Sequence, residues 1–112
     1  MSNSILGNLN MLTFHVSRAT RFDISHFESD ALSYLAQIQS NCTPVPAVND
    51  AISGTRTCIA VLVAKLRRER ELGAPYRLEV LEARTAALAQ INRVAVVLGN
   101  SEISSPARAF SR

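Results

Sequence analysis

Gly73, Ala74 and Pro75 stand between two long stretches rich in Ala, Leu, Val and Arg, and they constrain the fold more than any other feature of the sequence. Glycine is common just after the end of a helix, and proline is favoured in the first turn of the next one. Because the connection is so short, the two helices must be antiparallel neighbours. The sequence therefore predicts a helical hairpin with one helix over residues 46–72 and the next over residues 75–98.

Proline and glycine also mark the far ends of this hairpin. Two prolines in residues 41–46 lie too close together for a helix to continue, so this segment is predicted to be a linker. Gly99 predicts the end of the last helix and leaves residues 99–112 as a flexible C-terminal tail. Gly54 falls inside the 46–72 helix, where glycine costs about 1 kcal/mol. We expect a bend or a later helix start there, or the close approach of another backbone.

The N-terminal part of the chain predicts one further helix and an arm. Ser25 and Glu28 have the spacing of a capping box, which predicts a helix over residues 25–40. An apolar stripe follows at helical spacing: Phe27, Ala31, Leu35 and Ile38. Residues 1–22 mix apolar side chains with Ser and Asn without a clear period. They predict a short helix or an irregular arm that packs on the core.

The composition favours an all-α fold. The 112 residues are 47% hydrophobic, with four glycines, four prolines and 5% aromatic residues, which is unlike a small sandwich or barrel. This length supports one domain, predicted over residues 1–98. Because two long helices alone have too little partner surface, the 25–40 helix or a second copy must complete the core. We expect a dimeric helical bundle.

Positive charge gathers on one side of the 46–72 helix. At about 100° per residue the core side is formed by Val48, Ile52, Ile59, Leu62, Val63 and Leu66. The opposite side carries Asn49, Ser53, Arg56, Ala60 and Arg67. Arg56 and Arg67 are separated by about 16 Å of helix, a span that can touch several phosphates. The alternative is an ordinary solvated face, in which Lys65 pairs with Glu69, and Arg67 with Glu71, four residues away.

Arginines without a nearby acid raise a second question. No Asp or Glu lies three or four residues from Arg56, Arg77, Arg84 or Arg93, so their partners must lie on other helices or on a ligand. In the 75–98 helix the predicted buried side consists of Leu81, Leu88, Ile91 and Ala95. Arg77 and Arg84 fall on this side, which favours an interface salt bridge. The residues expected to make packing and dimer contacts are Arg77, Arg84, Leu81 and Leu88.

Catalytic and metal-binding patterns are missing from the sequence. Cys42, Cys58, His15 and His26 reproduce no zinc-site spacing, and no Gly-rich phosphate loop or nucleophile elbow is present. We therefore expect a binding protein rather than an enzyme, with no cofactor and no metal.

Targeting signals are equally weak. No apolar run approaches the roughly 18 residues of a membrane span, and the N-terminus lacks the basic region of a secretory signal. We expect a cytoplasmic protein with free thiols. Residues 1–22 carry Arg18 and Arg21 without an acid, so an alternative is a mitochondrial presequence cleaved near Arg21.

Three segments stand out within residues 45–98: the helix VNDAISGTRTCIAVLVAKLRRERE, the turn LGAPY and the helix RLEVLEARTAALAQINRVAVVL. In these segments and in its length, the chain resembles the RNA-silencing suppressor of insect nodaviruses. The resemblance concerns architecture and charge placement, and the N-terminal 45 residues do not match.

The resemblance implies a small helical homodimer that binds double-stranded RNA by shape, since the deep major groove of an RNA duplex hides the bases. Such a protein shields duplex RNA from Dicer and sequesters small interfering RNA, and host silencing proteins become candidate partners. The implied RNA-binding residues are Asn49, Ser53, Arg56, Thr57, Lys65, Arg67, Arg68 and Arg70. The alternative is a helical protein-interaction module, such as a bundle adaptor or chaperone.

Overall fold

The structure of the chain, a computed structural model, describes residues 3–103, which form four α-helices. They are α1 (Asn3–Arg18), α2 (Ile24–Asn41), α3 (Pro46–Leu72) and α4 (Arg77–Ile103), with a 3₁₀ turn, Ala74–Tyr76, between the last two. The predicted all-α class is confirmed, and α3 has the predicted bounds.

The four helices close into a bundle within a single chain. α3 packs along α4, α1 packs on α2, α2 lies against α3, and α1 contacts α4, so that each helix has two neighbours. The molecule measures 55 × 22 × 20 Å. Of the two ways to complete the hairpin core, the structure therefore uses the chain's own N-terminal helices. α2 and α4 lie diagonally across the bundle.

The first helix is longer and more regular than the short helix or irregular arm predicted for residues 1–22. Its buried side chains recur at spacings of four, three and four residues: Ile5, Leu9, Leu12 and Val16. Ser, Asn and Thr occupy half of the remaining positions and further apolar residues occupy others, and this mixture hides the helical period in the sequence. The arm is thus an integral helix of the bundle.

The capping box predicted at the start of α2 is wrong. The helix already begins at Ile24, and its first turn has no side-chain cap. Asp23 Oδ1 instead accepts hydrogen bonds from the backbone N–H and the hydroxyl of Thr20, both at 3.1 Å. The carboxylate of Glu28 forms an ion pair with Arg67 instead, with Oε1 of Glu28 lying 3.3 Å from Nη2 of Arg67.

The turn between α3 and α4 depends on Gly73. Its φ of 83° lies in the left-handed region, which a residue with a Cβ rarely adopts. Its N–H donates to the carbonyl oxygen of Glu69 at 2.8 Å and so satisfies one of the last carbonyls of α3. This helix stop is confirmed.

Two expectations about other glycines are wrong. Gly99 does not end the last helix, because α4 continues to Ile103; residues 104–112 of the predicted tail lie outside the described residues. At Gly54, α3 continues as one helix and the close neighbour is a side chain. A Cβ at Gly54 would lie 2.8 Å from Oε1 of Gln90 on α4.

The buried side of α4 differs from the predicted one. It consists of Val80, Ala83, Ala87, Ile91, Val94 and Leu98. Of the four residues predicted to be buried, Ile91 is buried, Leu88 and Ala95 are partly buried, and Leu81 is 56% exposed. Ala83 and Ala87 have short side chains, which let α4 approach its neighbours closely. The larger leucines are consequently rotated outward.

Candidate nucleic-acid interface

The core and solvent sides of α3 are assigned correctly from the sequence. All six predicted core residues, from Val48 to Leu66, are at most 2% exposed. On the predicted binding side, seven residues are exposed: Asn49, Ser53, Arg56, Thr57, Arg67, Arg68 and Arg70. The eighth, Lys65, is partly buried.

Arg56 and Arg67 are both held against α2. Arg56 Nη2 donates to Gln39 Oε1 at 3.1 Å, and Arg67 Nη2 donates to Glu28 Oε1 at 3.3 Å. The two arginines are eleven residues apart on α3, and their partners are eleven residues apart on α2. Because α2 runs antiparallel to α3, the two pairs lie at matching heights along the bundle. The arginines therefore form one row beside the α2–α3 boundary.

This row belongs to a surface that we call the α2–α3 face. It consists of Ser25, Glu28, Leu32, Ala36 and Gln39 on α2, and Asn49, Ser53, Arg56, Ala60 and Arg67 on α3. Apart from the arginines, most of these side chains are small or are neutral hydrogen-bonding groups. These side chains form two neighbouring rows on a shallow surface, and Arg56 and Arg67 supply its positive charge.

Lys65 and Arg68 point elsewhere. Lys65 follows Arg56 by nine residues, which is half a turn around the helix, and it faces α4. There its Nζ donates to Glu79 Oε1 at 2.6 Å. Arg68 donates to the hydroxyl of Tyr76 at 3.2 Å and lies over the Tyr76 ring, 5.1 Å from its centroid. The set of basic residues implied by the resemblance is therefore divided between two sides of α3.

The basic residues of α3 differ in the groups that surround them. The hydrogen bond to Tyr76 raises the pKa of Arg68 above its already high ordinary value. Arg56 has no carboxylate partner among residues 3–103, and the same holds for Arg70 on the last turn of α3. The four-residue pairs expected for a solvated face do not form. Lys65 and Arg67 bind acids on other helices, and Glu69 lies 3.5 Å from Arg21.

Arg84 has a different role from the interface salt bridge that was expected. Its Nη1 donates to the carbonyl oxygens of Val16 at 2.8 Å and Ser17 at 3.2 Å. These carbonyls belong to the last turn of α1, which has no helical N–H groups left to satisfy them. Arg84 thus ties the end of α1 to α4. Arg77 and Arg93, by contrast, have no partner in the described part of the chain.

Cys42 and His15 have local partners, and the described residues contain no metal-binding cluster. No three His, Cys, Asp or Glu side chains within residues 3–103 form a group that could hold a metal ion. Cys42 Sγ donates to the carbonyl oxygen of Gln39 at 3.5 Å, and His15 stacks on Tyr34 with ring centroids 5.4 Å apart.

The candidate interface could be predicted only in part from the sequence. Sequence reasoning missed Gln39, Glu28 and Tyr76, which position the arginines of α3. One usable signal was the spacing of eleven residues that Glu28 and Gln39 share with Arg56 and Arg67. It becomes meaningful once α2 and α3 are known to be antiparallel neighbours.

Comparison with protein-family models, with curated proteins and with solved structures finds no match to this chain. None of the helices within residues 3–103 combines the length and the apolar character needed to cross a membrane.

Proposed function

We propose that this protein binds double-stranded RNA along the α2–α3 face, by shape and without sequence specificity. The observation that carries the proposal is the row formed by Arg56 and Arg67, about 16 Å apart on one exposed helix face. Arginine forks match pairs of phosphate oxygens, and phosphate contacts supply most of the affinity of non-specific nucleic-acid binding.

The neutral residues of the face support the same ligand. Ser53 and Asn49 can exchange hydrogen bonds with 2′-hydroxyl groups, which a duplex RNA displays in its wide minor groove. Ala36 and Ala60 have short side chains and allow the sugar-phosphate backbone to approach the helices closely. A shallow two-helix surface of this composition suits a duplex better than it suits splayed single-stranded bases, because exposed aromatic rings for stacking are missing from the face.

Only a weak interaction competes with RNA for Arg67. The side chains of Arg67 and Glu28 are 51% and 38% exposed, and an exposed ion pair contributes about 0–1 kcal/mol. A phosphate can therefore replace Glu28 at small cost. Lys65 is excluded from the contact set because it faces α4 and is already paired with Glu79.

The biological consequence of the proposal is suppression of RNA silencing. A protein that covers duplex RNA by shape would protect long duplexes from Dicer and sequester small interfering RNA, in the host cytoplasm, without any catalytic step. We propose that the acting species is a homodimer, and direct contacts with host silencing proteins belong to the same hypothesis.

One observation favours a second candidate, a helical protein-interaction module. Leu78, Leu81 and Val96 on α4 are each more than half exposed, which is unusual for large apolar side chains on one helix. This surface is remote from the α2–α3 face. Protein binding there would be insensitive to substitutions of Arg56 and Arg67.

The test is a gel-shift comparison of duplex RNA, duplex DNA and single-stranded RNA at about 50 and 200 mM salt. We expect preference for duplex RNA of unrelated sequences, and protection of the bound duplex from Dicer. In Arg56→Ala/Arg67→Ala the salt dependence of log K should fall by about one unit for each phosphate that the variant no longer neutralises. Arg93→Ala is the matched control, since Arg93 is also exposed but lies on α4.

Equal affinity for the three nucleic acids would contradict recognition of duplex shape. Equal effects of the Arg93 and Arg56/Arg67 substitutions would show that general charge, rather than the α2–α3 face, attracts the RNA.

A further inference from the structure

The outer side of α4 carries a heptad pattern that the bundle does not use. Residues at spacings of three and four form what we call the α4 stripe: Leu78, Leu81, Thr85, Leu88, Asn92 and Ala95. The intramolecular core uses other positions of the helix, such as Val80 and Ala87. Leu78 is 63% exposed and Leu81 is 56% exposed, so the N-terminal half of the stripe has no cover within the chain.

The stripe has the features of a two-stranded coiled-coil seam. In heptad terms Leu78, Thr85 and Asn92 occupy the a positions, and Leu81, Leu88 and Ala95 occupy the d positions. Leucine at d with a single Asn at a is a combination that specifies register at a cost in stability. A helix whose exposed side repeats every seven residues can pair with an identical helix.

Charge complementarity selects the direction of that pairing. Arg77 lies at a g position and Glu82 at the e position five residues later, and neither has an ion-pair partner among residues 3–103. In a parallel pair of helices, g of one helix meets the following e of the other, so Arg77 and Glu82 would form two symmetric ion pairs. An antiparallel pair would place g beside g and e beside e, and would give no such contact.

Asn92 selects the same direction. In a parallel pair the a positions meet each other, so the two Asn92 amides can hydrogen-bond across the two-fold axis. In an antiparallel pair an a position meets a d position, and the amide would face Leu or Ala without a partner, which is costly when buried.

The surroundings leave room for the second helix. Leu88, Asn92 and Ala95 border an open cleft of about 380 Å³ between α4 and α1, in which Leu6 is 49% exposed. Arg84, which could have obstructed the seam, is held on the α1 carbonyls instead.

We infer that the α4 stripe is the homodimer interface of this protein, in which two α4 helices pair in parallel through Leu78, Leu81, Leu88 and Asn92. The inference rests on the homodimer proposed above and adds its location, direction and register. Because α2 lies diagonally opposite α4, the two-fold axis places the two α2–α3 faces on opposite outer sides of the dimer.

Light scattering coupled to gel filtration of the full chain, without RNA, tests the interface. We expect a dimer between about 1 and 100 μM protein, and a monomer of unchanged helicity for Leu78→Asp/Leu81→Asp. Val61→Asp is the matched control, because Val61 is also an exposed apolar residue, 44% accessible, but lies on α3. A monomeric wild type, or a Leu78→Asp/Leu81→Asp variant that still dimerises, would overturn the interface.

Charge exchange tests the direction and does not depend on the leucine variant folding. Arg77→Glu and Glu82→Arg should each weaken dimerisation about fivefold, because both symmetric ion pairs are removed. The double variant should restore the wild-type dissociation constant. Additive weakening in the double variant would overturn the parallel pairing.

These outcomes are separate from those of the RNA proposal. A monomeric Leu78→Asp/Leu81→Asp chain that still shifts duplex RNA would confirm the interface and leave the α2–α3 face in place. A dimer that fails to shift RNA would refute the proposed function alone.

Discussion

Replacing Arg84 with Met tests whether this residue serves the fold of one chain or an interface between chains. Arg84→Met keeps an unbranched stem of similar length but removes both hydrogen bonds to the end of α1. The bond to Val16 is part-buried and that to Ser17 is exposed, so their net contributions are about 1.5 and about 0.5 kcal/mol respectively. The cation also opposes the partial negative charge at the helix C-terminus. The expected loss is therefore about 2 kcal/mol of unfolding free energy.

Thermal unfolding followed by circular dichroism measures this loss. For a domain of this size about 2 kcal/mol corresponds to a fall in Tm of about 10 °C. Protein concentration must be held fixed, because Tm depends on it in an oligomer. Arg93→Met is the control and should change Tm little, since Arg93 is exposed and makes no hydrogen bond or ion pair with the described residues. Equal Tm values for the two variants, with a weaker dimer for Arg84→Met, would refute the capping role and support the interface salt bridge.

Three glycine substitutions test the corrected helix boundaries and packing. Gly73→Ala should destabilise the fold by about 1 kcal/mol, because a residue with a Cβ is strained at a φ of 83°. Gly99→Ala should stabilise the fold by up to about 1 kcal/mol, because glycine is unfavourable inside a helix and an added Cβ would meet open space there. Urea unfolding measures both changes. If Gly99→Ala lowered the stability instead, the result would support the original prediction that Gly99 ends the helix. Gly54→Ala should be close to neutral alone, since its Cβ would displace Gln90, but should stabilise by about 1 kcal/mol in a Gln90→Ala background. Equal effects in both backgrounds would show that Gln90 does not limit this position.

The bounds of α3 could be predicted because Pro46 and Gly73 act locally on the backbone. The end of α4 could not, since Gly99 permits a helix as well as a stop and only its surroundings decide. The capping box failed for a similar reason: Glu28 matches a local pattern, but its partner Arg67 is 39 residues away in the chain.

The buried side of α4 illustrates a further limit. Hydrophobicity assigns Leu81 to the core, yet Ala83 and Ala87 are buried in its place because close helix packing favours small side chains. Exposure of the arginines on α3 followed from helical periodicity alone. The division of the basic residues of α3 between two sets of partners, Gln39 and Glu28 on one side and Glu79 and Tyr76 on the other, required the positions of neighbouring helices.

The diagonal placement of α2 and α4 has a consequence for how RNA would be organised. A dimer joined through α4 would present its two binding faces back to back, so a single dimer could hold two separate duplexes. Effective concentration raises affinity only when both sites can engage the same ligand, so the second face would add no affinity for a short duplex that the first face already holds. Long duplexes, each carrying many dimers, would then be crosslinked into networks, whereas short duplexes would be bound in pairs.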